Sequence, residues 1–285
     1  MLSRLLPLFL LLLPCAHAAA LDDAIALFDA KKFPEARVAL EKIVQAEPKN
    51  AAAAHYLGLT LIRRGDAQAM DEAVPWLEKA TTLEPQNPVY LFDCGGACLQ
   101  LARKNTSLSA ASKGREMLEK AIALKPDYVD AREALYQYYS QAPFFAGGSS
   151  SKAKTQLEEI KKYAPDRAII LSIIARTSAK DYAAAFKICD EVLAKEPANY
   201  TALYQYGRTA AISDLNLSNA IVHLQKCLTL TPPSPSAPGH THVWNRLGNI
   251  HEKLKHVAEA RTAYETSLQL DPTNNAAADS LAKLR

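Results

Sequence analysis

Along most of the chain apolar residues return every three or four positions, and the places between them are polar. Ala36, Leu40 and Ile43 show the rhythm, as do Ala73, Leu77 and Ala80, and again Ala220, Leu224 and Cys227. This spacing keeps the side chains on one stripe of an α-helix; a half-buried strand would need strict alternation, and no long run shows it. Glycine is scarce, with 10 residues in 285, while alanine and leucine are abundant, so local propensity agrees with the rhythm. The pattern predicts an all-α chain of amphipathic helices.

Prolines punctuate those helices. Seven of them close similar phrases, "QAEPKN" at Pro48, "TLEPQN" at Pro85, "ALKPDY" at Pro126, "KYAPDR" at Pro165, "AKEPAN" at Pro197, "TLTPPS" at Pro232 and "QLDPTN" at Pro272, at intervals of 32 to 41 residues. Proline cannot continue a helix, and the Asn or Asp that often follows can cap the next one. Before each proline stand two helical stretches with small residues at matching places. Gly58, Gly95, Gly207 and Gly248 mark the first stretch, and Ala36, Ala73, Ala153, Ala185, Ala220 and Ala260 the second, so that the two helices can approach closely.

The last unit reads Trp244-x2-Leu247-Gly248-x2-His251, then Ala260-x3-Tyr264, Ser267 and Pro272. This resembles the tetratricopeptide repeat (TPR) consensus, whose period is about 34 residues, with His251 standing where a tyrosine is usual. Unit two repeats it with Leu57-Gly58-x2-Leu61, Ala73-x3-Leu77, Ala80 and Pro85, and unit six with Tyr206-Gly207, Ala220-x3-Leu224, Cys227 and Pro232. Units one, three and four carry weaker copies; unit five is read with Ile174-Ala175 at the close-approach place and Ala185-x3-Cys189 after it. The resemblance implies a TPR-type α-solenoid of about seven helix-turn-helix repeats over residues 19–285, with the closing "AAADSLAKLR" as a capping helix.

The start of the chain reads differently. Met1 to Arg4 is basic, Leu5 to Leu13 is apolar apart from Pro7, and Ala16-His17-Ala18 is a small-x-small motif. Together these predict a secretory signal peptide over residues 1–18, cleaved before Ala19. The apolar run is too short to span a bilayer, so no membrane span is expected in the mature chain. A periplasmic location follows; secretion, or a lipid anchor at Cys15 after Pro14, is the alternative. Loss of Arg4 with the leader takes one unit from a formal net charge of only +3, which gives no global attraction to nucleic acid.

Catalytic patterns are missing. No H-E-x-x-H or G-x-S-x-G occurs, and no stretch outside the repeats is long enough for a compact catalytic domain, so no enzyme, cofactor or metal is expected. His240-Thr241-His242 reads as part of a solvated loop, "TPPSPSAPGHTH". Cys94, Cys98, Cys189 and Cys227 replace apolar residues of other repeats and read as small core hydrophobes, with a Cys189–Cys227 disulfide between adjacent repeats left open.

Function in such arrays usually resides on the surface lined by the first helices. By the resemblance, the residue after each small position faces it, giving Ile25, Leu59, Gly96, Gln137, Arg176, Arg208 and Asn249. The row three before the small position gives Leu21, His55, Phe92, Glu133, Ser172, Tyr204 and Asn245. Arg176, Arg208, Tyr204, Asn245 and Asn249 are expected to form a polar pocket for a carboxylate or acidic peptide, with Leu59 and Phe92 gripping an apolar stretch of the same partner. The competing reading is that the arginines solvate an open face or pair with neighbouring acids.

One insertion interrupts the scheme. "APFFAGGSSSKA", Ala142 to Ala153, lengthens the interhelical turn of unit four. Pro143 should stop the first helix, Gly147-Gly148 should turn the chain, and one of Ser149 to Ser151 should cap the next helix. Phe144 and Phe145 are expected to pack over the end of the helix pair, the alternative being an exposed binding knob. The expected function is a non-catalytic scaffold holding a protein or peptide partner in the cell envelope; the alternative is an accessory or regulatory subunit of an envelope assembly enzyme or a secretion or pilus machine.

Overall fold

The computed structural model describes residues 13–66, 68–234 and 237–284, with side chains from Ala19 onward. The leader expected over residues 1–18 therefore lies outside the described side chains, and residues 1–12 lie outside the described residues. Among the described residues there are fifteen α-helices, one short 3-10 turn and no strand.

The helices fall into pairs. They are α1 (Leu13–Asp29) with α2 (Phe33–Ala46), α3 (Ala51–Arg64) with α4 (Ala69–Leu83), α5 (Pro88–Asn105) with α6 (Leu108–Leu124), and α7 (Val129–Gln141) with α8 (Ser150–Tyr163). Then follow α9 (Pro165–Ser178) with α10 (Tyr182–Lys195), α11 (Tyr200–Ser213) with α12 (Leu217–Leu228), α13 (His240–Lys253) with α14 (Val257–Leu270), and the closing α15 (Asn275–Lys283). Two compact units divide the chain, Met1–Glu159 and Ile160–Arg285, with the boundary inside α8.

Four of the seven proline phrases, at Pro48, Pro85, Pro197 and Pro272, act as expected, through the asparagine two places on, whereas α7, α9 and α13 begin without a side-chain cap. Asn50, Asn87 and Asn199 are N-caps of α3, α5 and α11, their side-chain oxygens accepting from Ala53 N at 3.0 Å, Val89 N at 3.1 Å and Ala202 N at 2.9 Å. Each side-chain amide also donates to the glutamate before the proline, Glu47 at 2.8 Å, Glu84 at 3.1 Å and Glu196 at 2.9 Å. A Glu-Pro-x-Asn phrase thus ends one helix and starts the next, and each cap contributes about 1 kcal/mol. Within pairs the turns are tighter. Gly65 takes the left-handed conformation after α3, φ 72°, and Lys31, Lys180 and Lys255 take it with φ of 60°, 59° and 61° after α1, α9 and α13.

Close approach occurs where the sequence places it, with one exception. A Cβ added at Gly95 of α5 would stand 2.9 Å from Leu118 Cγ and 3.0 Å from Gly114 O of α6. Unit five departs from the expected register. Ala175 is exposed, whereas Ile173 is fully buried in the second unit's core. Twelve residues separate Gly248 from Ala260 in unit seven, and the same interval counted back from Ala185 reaches Ile173. The close-approach place in α9 is therefore held by a large residue.

In the first unit Leu40, Leu57 and Leu61 anchor one cluster and Leu77, Cys94 and Cys98 another. In the second unit Phe186, Leu203, Tyr206, Leu224 and Leu247 share a core, and α15 lays Ala277 and Leu281 against Tyr264 as a cap. All four described cysteines from Cys94 to Cys227 are free and buried, and burial pushes Cys189 and Cys227 up to about 12.

Candidate functional site

In the second unit α9, α11 and α13 are the first helices of their pairs, and α11 packs against both of the others. Helix α11 is buried almost all round: only Arg208, Ile212 and Ser213 of its residues are not. Its apolar side belongs to the core, but its polar residues are unusual. Thr209 meets Thr177 of α9 at 3.5 Å, both hydroxyls buried. Gln205, 5% exposed, has a buried side-chain oxygen with no protein partner, and half-buried Arg208 one turn later has a buried Nη1 with none. On the neighbouring α13, Asn245 likewise keeps a buried oxygen without a protein partner.

Leaving a buried donor or acceptor unpaired costs about 1–3 kcal/mol, and more when the group is charged. Four such groups lie on these two adjacent first helices, His251 Nδ1 of α13 being the fourth; of them, Gln205, Arg208 and Asn245 supply two acceptors and a cationic donor. Arg208 and Asn245 are two of the residues that the sequence reading assigns to a polar pocket. Gln205 was missed because the position rule picks one residue per turn; its signal is the three-residue step to Arg208.

The remaining polar candidates behave differently. Tyr204 is only 5% exposed and sits in the core cluster, so it is a packing residue and not a wall of the pocket. Arg176 is exposed at the end of α9, where its Nη1 lies 3.3 Å from Asp181 of the following turn. The register shift of unit five explains this: counting from Ile173, the position that follows is Ile174, and Arg176 falls outside the row. Asn249 is committed to the fold, donating from Nδ2 to the Tyr264 hydroxyl at 2.8 Å, which in turn donates to Glu252 at 2.8 Å.

In the first unit the corresponding surface is aromatic. Phe92 packs against Tyr128 with centroids 5.0 Å apart, and Leu59 is half-buried against the Leu77 cluster. Beside them His55 of α3, 4% exposed, stacks on Tyr90 at 4.4 Å and bonds Asp93 of α5 through Nε2 at 2.7 Å, leaving its Nδ1 without a protein partner. A Cβ at Gly96 would meet nothing within 4 Å, so the surface is open there.

Two further expectations are corrected. Phe144 and Phe145 do not pack over the helix pair; they are 93% and 78% exposed on a 3-10 turn, Phe144–Ala146. The segment His240-Thr241-His242 is not loop: it opens α13, and His240 Nε2 lies 2.9 Å from the Leu230 carbonyl. Among the described residues no group of three or more His, Cys, Asp and Glu side chains is placed to hold a metal ion. No helix among them is long and apolar enough to cross a membrane.

The repeats are also recognised from outside. Family models described as tetratricopeptide repeat match residues 21–88 and 242–274. No curated protein matches the chain in sequence. Among solved structures, a tetratricopeptide repeat protein from Parabacteroides merdae superposes with a TM-score of 0.59 at 14% identity, covering 93% of this chain and 97% of that one. Yeast Tom70 gives 0.60 at 19% identity over 93% of this chain, which spans 52% of Tom70. The C-terminal part of a TPR repeat-containing protein from Cytophaga hutchinsonii gives 0.52 at 16% identity, covering 92% and 99%. Paired helices joined by proline-asparagine turns, small residues at the pair contacts, and these matches at both ends of the chain lead to one conclusion: this is a tetratricopeptide repeat protein with an α-solenoid fold.

Proposed function

We propose that the protein is a non-catalytic scaffold in the periplasm that holds an extended, acidic segment of a partner protein on the first-helix surface of its second unit. The observation that carries the reading is the set of buried, unpaired polar atoms on Gln205, Arg208 and Asn245. A partner chain supplies what they lack: its amides donate to the two oxygens, and a carboxylate or carbonyl accepts from Arg208. The buried, unpaired Nη1 of half-buried Arg208 supports a site here over a merely solvated face.

Affinity purification of the tagged chain from a native envelope fraction, followed by mass spectrometry, tests the proposal. The partner should be retained by the parent chain and by Arg176→Ala, and lost with Gln205→Met/Arg208→Met. Equal retention by all three contradicts the assignment of the site. Recovery of the bulk of the protein from the cytoplasm contradicts the location.

A further inference from the structure

The turn between α7 and α8 displays two phenylalanine rings that nothing in the fold uses. Phe144 is 93% exposed and Phe145 78%, yet the turn beneath them is firmly built. Ala146 N and Gly148 N donate to Pro143 O at 2.9 and 3.0 Å, Gly147 N to Phe144 O at 3.0 Å, and Ser149 N to Tyr139 O at 2.9 Å. The Tyr138 hydroxyl donates to Ala146 O, Gly147 adopts φ 91°, and a Cβ at Gly148 would collide with the Ala142 carbonyl. So many constraints keep the rings from folding back onto the protein.

The charge that flanks them along the chain has one sign. No acidic residue occurs between Glu133 and Glu158, and Lys152 and Lys154 follow the turn directly. Neither lysine is paired with a carboxylate; Lys152 Nζ lies over the Tyr139 ring at 5.3 Å. The nearby carboxylate on α6, Glu119, is already engaged by Arg115 at 2.8 Å and by the Tyr139 hydroxyl at 2.5 Å.

We propose that this turn is a peripheral membrane wedge: Phe144 and Phe145 enter the interfacial layer of a bilayer, and Lys152 and Lys154 meet its anionic headgroups. Two exposed rings at adjacent positions need only an apolar layer of adequate depth, and cations without a carboxylate partner that follow them in the chain select a negatively charged one. This wedge lies in the first unit, and is independent of the peptide site on the second.

Vesicle flotation tests the idea, using the full chain and its exported, leader-free form. The probes are vesicles of phosphatidylcholine alone and of phosphatidylcholine mixed with phosphatidylglycerol. The parent protein should float with the mixed vesicles and far less with the neutral ones. Phe144→Ser/Phe145→Ser should lower partitioning about 100-fold, at about tenfold per ring, with an unchanged melting temperature because neither ring is buried. Lys152→Gln/Lys154→Gln should lower it about 25-fold on the mixed vesicles, at about fivefold per lysine, and leave the neutral ones unaffected. Absence of flotation, or flotation indifferent to the phenylalanines in the leader-free form, overturns the proposal. So does loss of self-association or of a captured protein on the phenylalanine exchange without any vesicle binding, which would make the rings a protein-docking knob.

Discussion

Adjacent glycines in α5 should respond with opposite signs to the same substitution. Gly95→Ala puts a methyl 2.9 Å from Leu118 Cγ and 3.0 Å from the Gly114 carbonyl oxygen, against the 3.5–4.0 Å that carbon atoms prefer. Leu118 is fully buried and Gly114 O is backbone, so neither can swing aside; α5 and α6 must separate. Overpacking of that kind costs about 1–3 kcal/mol. Alanine recovers about 0.5–1 kcal/mol of helix propensity, which leaves a net loss of about 1–2 kcal/mol. Gly96→Ala meets nothing within 4 Å, so only the propensity gain remains. The propensity gain is common to both, so the two variants should differ by the overpacking cost alone, about 1–3 kcal/mol. Both substitutions change the unfolded chain alike, which removes that term from the comparison. Urea denaturation followed by circular dichroism reads the difference as a midpoint separation of about 1 M, given slopes of about 1–3 kcal/mol per molar. Equal midpoints, or Gly95→Ala as the more stable variant, would refute the close-approach account of the repeat.

Other consequences follow from single features. Burial lowers His223 and His251 below the ordinary imidazole value of 6.5, with Lys226 and His256 pushing the same way and Asp190 and Glu259 opposing. The unfolded chain then binds protons more readily, so their contribution to stability is intact above about pH 6.5 and is lost as pH falls toward the lower folded values; His223→Asn/His251→Tyr should flatten the acid limb of a melting-temperature profile. Arg132, 8% exposed, donates to Pro126 O at 2.7 Å and to Gln156 at 3.1 Å. Arg132→Ala should cost about 2–4 kcal/mol in urea titrations, and Arg132→Lys should not restore it, since one ammonium cannot span both acceptors. Lys180→Gly and Lys255→Gly remove side chains from left-handed positions with φ of 59° and 61°, and each should raise stability by about 0.5–1 kcal/mol in the same assay.

Much of this was legible in the sequence because the repeat writes its own checks. Helical rhythm, the small pair-contact residues and the Pro-x-Asn turns each point to the same boundaries, and α3, α5, α11 and α15 begin at their asparagines or one residue later. What failed did so where one signal stood alone. In unit five Ala175 was chosen by size, but Ile173 holds the contact, and the error carried Arg176 onto the partner surface. Tyr204 and Asn249 sit at the right helical places, yet a ring large enough to reach the core, or an amide within reach of Tyr264, serves the fold first. The exposure of Phe144 and Phe145 was hidden because apolar rings are ordinarily buried; only the hydrogen bonds of the turn reveal that they are held outward. For Gln205 the sequence offers only the three-residue step to Arg208; that its side-chain oxygen lacks a partner is visible only in the structure.

The central claim is that Gln205, Arg208 and Asn245 are kept for a partner at the expense of the free protein. The thermal midpoint of Gln205→Met/Arg208→Met, measured without partner, tests it most directly. Removing unpaired buried atoms worth about 1–3 kcal/mol each should raise the midpoint by about 3 °C or more. A midpoint several degrees below that of the parent would mean that these side chains hold the fold together, and would contradict the account.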